Sequence, residues 1–277
     1  MRAPEPTDLT GRTIIVTGAN AGIGKETAVA LAAMGAQVVM TARDPGRGAD
    51  ALDEVRRRSG SDAVVLGSLD LASFASIRAF AAWFLDEFER LDVLVNNAGL
   101  ITDRTQRTAD GFEMMFGVNH LGHMLLTSLL QDRLVASAPA RVVVVSSLAH
   151  RYVPRGLPRG QVDRGGGGSF VGYSQSKLAN ALYARELARR LEGTGVTVNA
   201  LHPGSINSHF GGDGDTAVMG WFIKVFGRYV LRSPEQGAHA SITLASSADP
   251  VIAGTTGGYW SSGRFRRPSR AARSDAQ

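Results

Sequence analysis

Six short runs of β-branched and apolar residues, separated by segments of helical period, constrain this chain more than any other feature. They are TIIVT (13–17), QVVMT (37–41), AVVLG (63–67), DVLVN (92–96), RVVVVS (141–146) and VTVNAL (196–201). None alternates polar with apolar residues, so each is expected to be buried on both faces, as strands of a helix-covered parallel sheet are. Helical patterns lie near 23–34, 45–58, 74–89, 111–137 and 174–192. A further helix is signalled by Ser233 as cap, Pro234 at the first helical position, and Glu235 and Gln236 in the first turn. GGYWSSG (257–263) supplies a last strand. The expected fold is α/β, a single doubly wound (Rossmann-type) domain over 1–263 with a mainly parallel sheet of about seven strands.

Composition narrows the function classes. The chain has 277 residues, 44% hydrophobic and 20% charged, enough for one large core. Without cysteine there is neither a disulfide nor a thiolate metal site, which suits a reducing cytoplasm, the expected location. No apolar run reaches the ~20 residues of a membrane span, and no signal-peptide core precedes Thr13, so stable membrane insertion is not expected. The net charge of +5 is concentrated in RFRRPSRAARSDAQ (264–277), where five arginines face one aspartate. A basic, disordered tail on a nearly neutral body is the expectation, rather than a nucleic-acid surface.

Two segments break the alternation. RGLPRGQVDRGGGGS (155–169) lacks an apolar period and reads as a mobile surface loop. AVMGWFIKVFGRYVL (217–231) carries Trp221, Phe222, Val225, Phe226 and Tyr229, more aromatic surface than an idle loop needs. Core or dimer packing would cover it.

VTGANAGIGKETA (16–28) joins the first strand to the first helix. Gly18, Gly22 and Gly24 let the backbone approach a pyrophosphate at the helix N-terminus, where free N–H groups favour an anion. Arg43 ends the second strand, where an acidic residue would select NAD(H) by binding the ribose hydroxyl. A guanidinium suits the 2′-phosphate of NADP(H) instead, while Asp44 before Pro45 reads as a helix cap. Tyr173 and Lys177 lie four apart in a helical pattern and so share a face. A phenol that moves a proton at neutral pH needs its pKa of ~10 lowered by a cation, the role expected of Lys177.

The ordered set TGANAGIG, NNAG (96–99), VNHLGH (118–123), VSS (145–147), YSQSK (173–177) and HPG (202–204) resembles the short-chain dehydrogenases/reductases over roughly 11–262. YSQSKLANALYARELARRL and TADGFEMMFGVNHLGHMLLT are similar to the retinol dehydrogenase-like branch. The resemblance implies NADP(H)-linked interconversion of a carbonyl and an alcohol, with Tyr173 as general acid/base and Lys177 as its activator. It further implies that Ser147 polarises the substrate oxygen and Asn119 anchors a proton-relaying water. The cofactor would meet Gly18, Asn20, Gly22, Ile23 and Gly24, then Arg43, Asp70 and Leu71, then Asn97, Ala98 and Gly99. On the nicotinamide side it would meet Tyr173, Lys177, Pro203, Gly204 and Ile206. The resemblance also implies a lid over 207–232, a fairly apolar substrate and a family in which homo-oligomers are common. No metal is called for: His120 and His123 lack a third ligand and read as packing or capping residues, and Ser146 as structural. A non-catalytic NADP(H)-sensing protein is the alternative, set against the retention of all four catalytic positions.

Overall fold

The computed structural model describes residues 7–102, 106–157, 168–204, 233–261 and 263–274, with side chains from Phe170 onward in the third of these stretches. Among the described residues the sheet has eight strands: β1 Thr13–Val16, β2 Gln37–Ala42, β3 Val64–Ser68, β4 Val93–Asn96, β5 Ala140–Val145, β6 Val196–His202, β7 Tyr259–Ser261 and β8 Arg264–Phe265. Their order is β3-β2-β1-β4-β5-β6-β7-β8, parallel except for the antiparallel β7–β8 pair. The expected doubly wound domain is present, with one two-residue strand added at its edge.

The helices are α1 Gly22–Ala33, α2 Pro45–Ser59, α3 Phe74–Glu87, α4 Met114–Phe116, α5 Gly122–Ala136, α6 Gly168–Arg190, α7 Pro234–Ser246 and α8 Pro250–Gly254. On one sheet face, Leu31 and Ala28 of α1, Val55 of α2 and Leu244 of α7 pack with Ile14, Val38 and Val95. On the other, Phe84 of α3, Leu126 and Leu130 of α5, and Leu178 and Leu187 of α6 pack with Ile15, Leu94 and Val144. Two-sided burial is why the strands read as unbroken apolar runs. Ser233 caps α7 in a reciprocal capping box with Gln236, and Asp44 caps α2 by accepting the Arg47 N–H at 2.8 Å, both as the sequence suggests.

Because the chain leaves β3 and returns beside β1 as β4, the order reverses between these two strands. A crevice opens there at their carboxyl ends, where open α/β sheets bind ligands. Asp92 pins that junction from below: its carboxylate, only 2% exposed, accepts from Arg12 at 2.7 Å, from Arg90 at 2.6 Å and from the Thr13 N–H at 2.9 Å.

Three expectations are corrected. The pattern at 111–137 is not one helix: α4 passes into a π-helical turn at Gly117–Leu121 before α5 begins. Helix α6 starts at Gly168, inside the segment expected to be a loop. The tail is not disordered over 264–274: β8 pairs with β7, and a 3-10 turn at Ala271–Arg273 buries Ala271 and Ala272 in the core while the five arginines stay exposed. Two alanines supply an apolar foothold that a count of charges conceals. Ile206, the segment 207–232 expected to be a lid, and most of the segment 155–169 lie outside the described residues, as do 275–277. No helix among the described residues is long and apolar enough to cross a membrane.

Candidate active site

The crevice is lined first by the turn after β1. Gly18 and Gly22 take φ values of +62° and +56°, which side chains disfavour. A Cβ on Gly18 would lie 2.9 Å from the Ala98 Cβ, and one on Gly24 would meet the Gly18 carbonyl and lie 2.5 Å from Asn97 Nδ2. The two turns are therefore pressed together. Asn97 Nδ2 donates to Thr17 O at 2.7 Å, and the Asn97 and Ala98 N–H groups both donate to Thr17 Oγ1 at 2.9 Å. Helix α1 opens at Gly22 without a side-chain cap, leaving its first N–H groups facing the crevice. A pyrophosphate fits this bare, glycine-walled helix start.

The other cofactor positions surround the same opening. Arg43 is exposed just beyond β2, while the neighbouring carboxylate of Asp44 is turned into its cap. Asp70 is half-buried and holds its own turn by accepting the Ala72 N–H at 2.9 Å; the Leu71 side chain is buried in the core beneath Gly122. Asn20 and Gly99 are half-buried, Ile23 and Pro203 are buried, and Gly204 has φ +103°.

Helix α6 places Tyr173, Lys177 and Asn180 on one face, at i, i+4 and i+7. The Tyr173 side chain hydrogen-bonds to that of Ser147, so the fold brings together two residues twenty-six apart in sequence. Ser147 lies in extended backbone (φ −155°, ψ 157°) beyond β5, where its Oγ accepts the Ala149 N–H at 3.2 Å and keeps its own hydrogen to donate. Lys177 is 1% exposed, with Nζ 3.1 Å from Val145 O and 5.7 Å from the Tyr173 ring centroid.

The electrostatics differ from the sequence expectation. Burial pushes the Tyr173 phenol up to about 12, only partly countered by the bond to Ser147, and burial pushes the Lys177 ammonium down to about 8. Desolvation outweighs the bond to Ser147, the contact that favours the phenolate. Tyr173 is thus held as a neutral donor at physiological pH.

Asn119 sits in the π-helical turn. Its side chain grips the backbone of Leu100, accepting the N–H at 2.8 Å and donating to the carbonyl at 2.9 Å, and also donates to Ser176 Oγ at 3.0 Å. Its own carbonyl accepts from Asn180 Nδ2 at 3.0 Å. His123 Nδ1 lies 3.2 Å from that carbonyl and Nε2 lies 2.8 Å from Thr17 Oγ1. A carbonyl only accepts, so His123 carries its proton on Nδ1 and Nε2 accepts from Thr17. Asn119 is thus held by direct contacts with Leu100, Ser176 and Asn180.

Thr17, His123, Ser176 and Asn180 are the positions that pattern-reading missed as a group. The His120–His123 pair was visible, but their separate partners, Asn180 for His120 at 3.1 Å and Thr17 for His123, come from elements far apart in sequence. Ser146 donates to Lys177 O at 2.7 Å, a structural bond as expected.

Ile101, Met115, Ala149 and Tyr173 form an apolar cluster with partly buried Leu100 and Phe170. The Tyr152 ring meets Phe170 edge-on at 5.3 Å and is 54% exposed at the rim. A phenol donor and a serine hydroxyl at the end of an apolar wall, next to a dinucleotide cradle, can hold and protonate an oxygen on an apolar molecule.

The comparisons with known proteins agree with this geometry. The short chain dehydrogenase family model matches residues 12–216. Human retinol dehydrogenase 14 is 43% identical over 276 residues, covering 94% of this chain and 80% of its own, and human retinol dehydrogenase 13 is 42% identical over 273 residues, covering 97% and 82%. Among solved structures, an NADP active-site complex of RhlG from Pseudomonas aeruginosa superposes with a TM-score of 0.72 at 27% identity, covering 97% of this chain and 99% of that one. The chain belongs to the short-chain dehydrogenase/reductase family of oxidoreductases, in its retinol dehydrogenase-like branch.

Proposed function

We propose that the protein is an NADP(H)-dependent oxidoreductase that interconverts a carbonyl and an alcohol on a fairly apolar substrate, with Tyr173 as general acid/base. The observation that carries this is the Tyr173–Ser147 bond beside buried Lys177, at the mouth of the glycine-walled crevice. Gly18, Gly22, Gly24 and Asn97 would hold the cofactor's pyrophosphate side, Arg43 its 2′-phosphate, and Lys177 with Gly99 and Gly204 its nicotinamide half. Bound there, the cofactor supplies the hydride.

The chain's own work concerns the oxygen and the proton. Ser147 Oγ and the Tyr173 hydroxyl converge on one point, where two donors stabilise negative charge developing on a carbonyl oxygen. In reduction Tyr173 gives its proton to that oxygen, and the charge of Lys177 a turn away favours the phenolate left behind. In oxidation the same phenolate takes the hydroxyl proton. The apolar wall of Leu100, Ile101, Ala149 and Phe170 excludes water and accepts the substrate's carbon body. The name retinol dehydrogenase on the relatives is consistent with an apolar substrate of that kind.

Cofactor choice is tested by dissociation constants for NADPH and NADH. A charge-assisted contact to phosphate contributes about 1.5–3 kcal/mol, so Arg43→Asp should weaken NADPH binding by roughly 10- to 100-fold and leave NADH binding unchanged or stronger. Equal affinities in the wild type, or an Arg43→Asp variant that keeps its preference, would remove NADP(H) from the proposal.

A further inference from the structure

One fully buried histidine joins the serine of the site to the C-terminal segment. His150 lies three residues beyond Ser147, in the 3-10 turn Leu148–Tyr152, and has no solvent exposure. Its Nδ1 lies 2.6 Å from Ser147 O, and its backbone N–H donates to the same oxygen at 3.2 Å. On the opposite side of the ring, the Ser269 N–H donates to Nε2 at 3.1 Å. Because a backbone N–H only donates and a carbonyl only accepts, these contacts leave one arrangement: a neutral ring with its hydrogen on Nδ1.

We propose that His150 is a positioning residue for Ser147, and that the segment 266–273 is the brace that sets the histidine. The role rests on Ser147 acting on the substrate oxygen as proposed above. Ser147 is the last extended residue before the chain turns, and the direction of its Oγ depends on the orientation of its peptide plane. Two bonds from His150 to Ser147 O fix that plane. The ring is itself fixed by Ser269 and by Tyr259, whose hydroxyl lies 3.3 Å from Nδ1 and whose ring centroid lies 4.9 Å away.

The brace is anchored independently of the histidine. The Arg266 N–H donates to Tyr259 O at 2.8 Å, Arg151 donates to Arg267 O at 3.0 Å, and Arg185 of α6 donates to Arg273 O at 2.9 Å. Ala271 and Ala272 are buried in the same core cluster as Leu178 and Leu187 of α6. The helix that carries Tyr173 and the histidine that aims Ser147 are thus referred to one short segment. A residue that merely filled space would not need an opposed donor and acceptor on its two nitrogens.

The test uses the full chain, NADPH and the best carbonyl substrate found by screening, with Ser147→Ala, His150→Ala, His150→Asn, Ser269→Ala and Ser269→Pro compared. Asparagine places an N–H near the position of Nδ1, and Ser269→Pro removes the N–H that Ser269→Ala keeps. Small misplacements at a reacting centre cost up to about 100-fold, so His150→Ala should lower kcat by roughly 10- to 100-fold. Substrate KM and NADPH affinity should be nearly unchanged, with much of kcat restored in His150→Asn. Ser269→Pro should lower kcat several-fold more than Ser269→Ala, a contrast that holds even if His150→Ala does not fold. Full kcat in His150→Ala with Ser147→Ala inactive would overturn the inference alone. Loss spread equally over kcat, KM, cofactor binding and melting temperature, without rescue by asparagine, would also overturn it. Full turnover in Ser147→Ala would overturn both the inference and the role of the serine beneath it.

Discussion

At the scale of single residues, the chemistry turns on what burial does to two side chains. Tyr173 near 12 and Lys177 near 8 mean that between pH 6 and 7 the phenol is protonated and the amine is charged, the state needed to reduce a carbonyl. The reduction rate should therefore be level to about pH 7 and fall above it as Lys177 loses its charge. Oxidation, which needs a phenolate, should climb over the same range. Parallel pH profiles in the two directions would contradict this assignment of the acid. The Tyr173–Lys177 spacing was legible because helical period is local, and the glycines of the cradle because backbone conformation is local. The sign of the tyrosine's shift was not, because desolvation depends on Ile101, Met115 and Ala149, which arrive from other elements. The partners of His123 and His150 were hidden for the same reason. Within the cradle, Gly24→Ala places a Cβ against Gly18 O and Asn97 Nδ2. It should weaken NADPH binding at least about tenfold, more than 1.4 kcal/mol, while an unchanged dissociation constant would show that the turn has room to yield.

At the scale of elements, the site depends on features that interrupt regular structure. The π-helical turn at Gly117–Leu121 adds a residue between α4 and α5, and that residue's neighbourhood holds Asn119 against Leu100. A continuous helix over 111–137 is the natural expectation from apolar period alone, since a single wide turn scarcely disturbs the pattern. The start of β4 is equally specific. Asp92 there gathers two arginines and a strand N–H. Replacing it by alanine leaves the buried Thr13 N–H without its acceptor, while the arginines, 39% and 46% exposed, can turn to water. Asp92→Ala should therefore cost about 1–3 kcal/mol in denaturant unfolding. A loss below about 0.5 kcal/mol would mean that the cluster is no more than a surface ion pair.

At the scale of the whole molecule, the parallel sheet and its two helical layers were written in the sequence as buried strand runs and capped helices. The closing edge was not. Five arginines in 264–277 outweighed two alanines in any compositional reading, yet Ala271 and Ala272 carry the segment into the core. Global stability also has an acid limit set inside the fold. Burial holds His120 down at about 4 and His123 at about 3, so both are neutral when folded. In the unfolded chain they bind protons below about 6.5, so stability present above that pH is lost as the pH falls toward 3. Each contributes a loss of about 2 kcal/mol by pH 5. His123→Gln should accordingly lose about 2 kcal/mol less than the wild type between pH 7 and pH 5. Equal losses in the two proteins would place the acid sensitivity elsewhere.

The most direct measurement of the central claim is turnover of NADPH with a panel of small, aromatic and long-chain carbonyls, in the wild type and in Tyr173→Phe, with NADPH affinity measured in both. Loss of the hydroxyl alone should lower kcat by about 10²- to 10⁴-fold, with the cofactor bound as tightly as before and the longer apolar substrates preferred by the wild type. A Tyr173→Phe variant that reduces the same carbonyls within a few-fold of the wild type would contradict the account, because the proton would then come from another group.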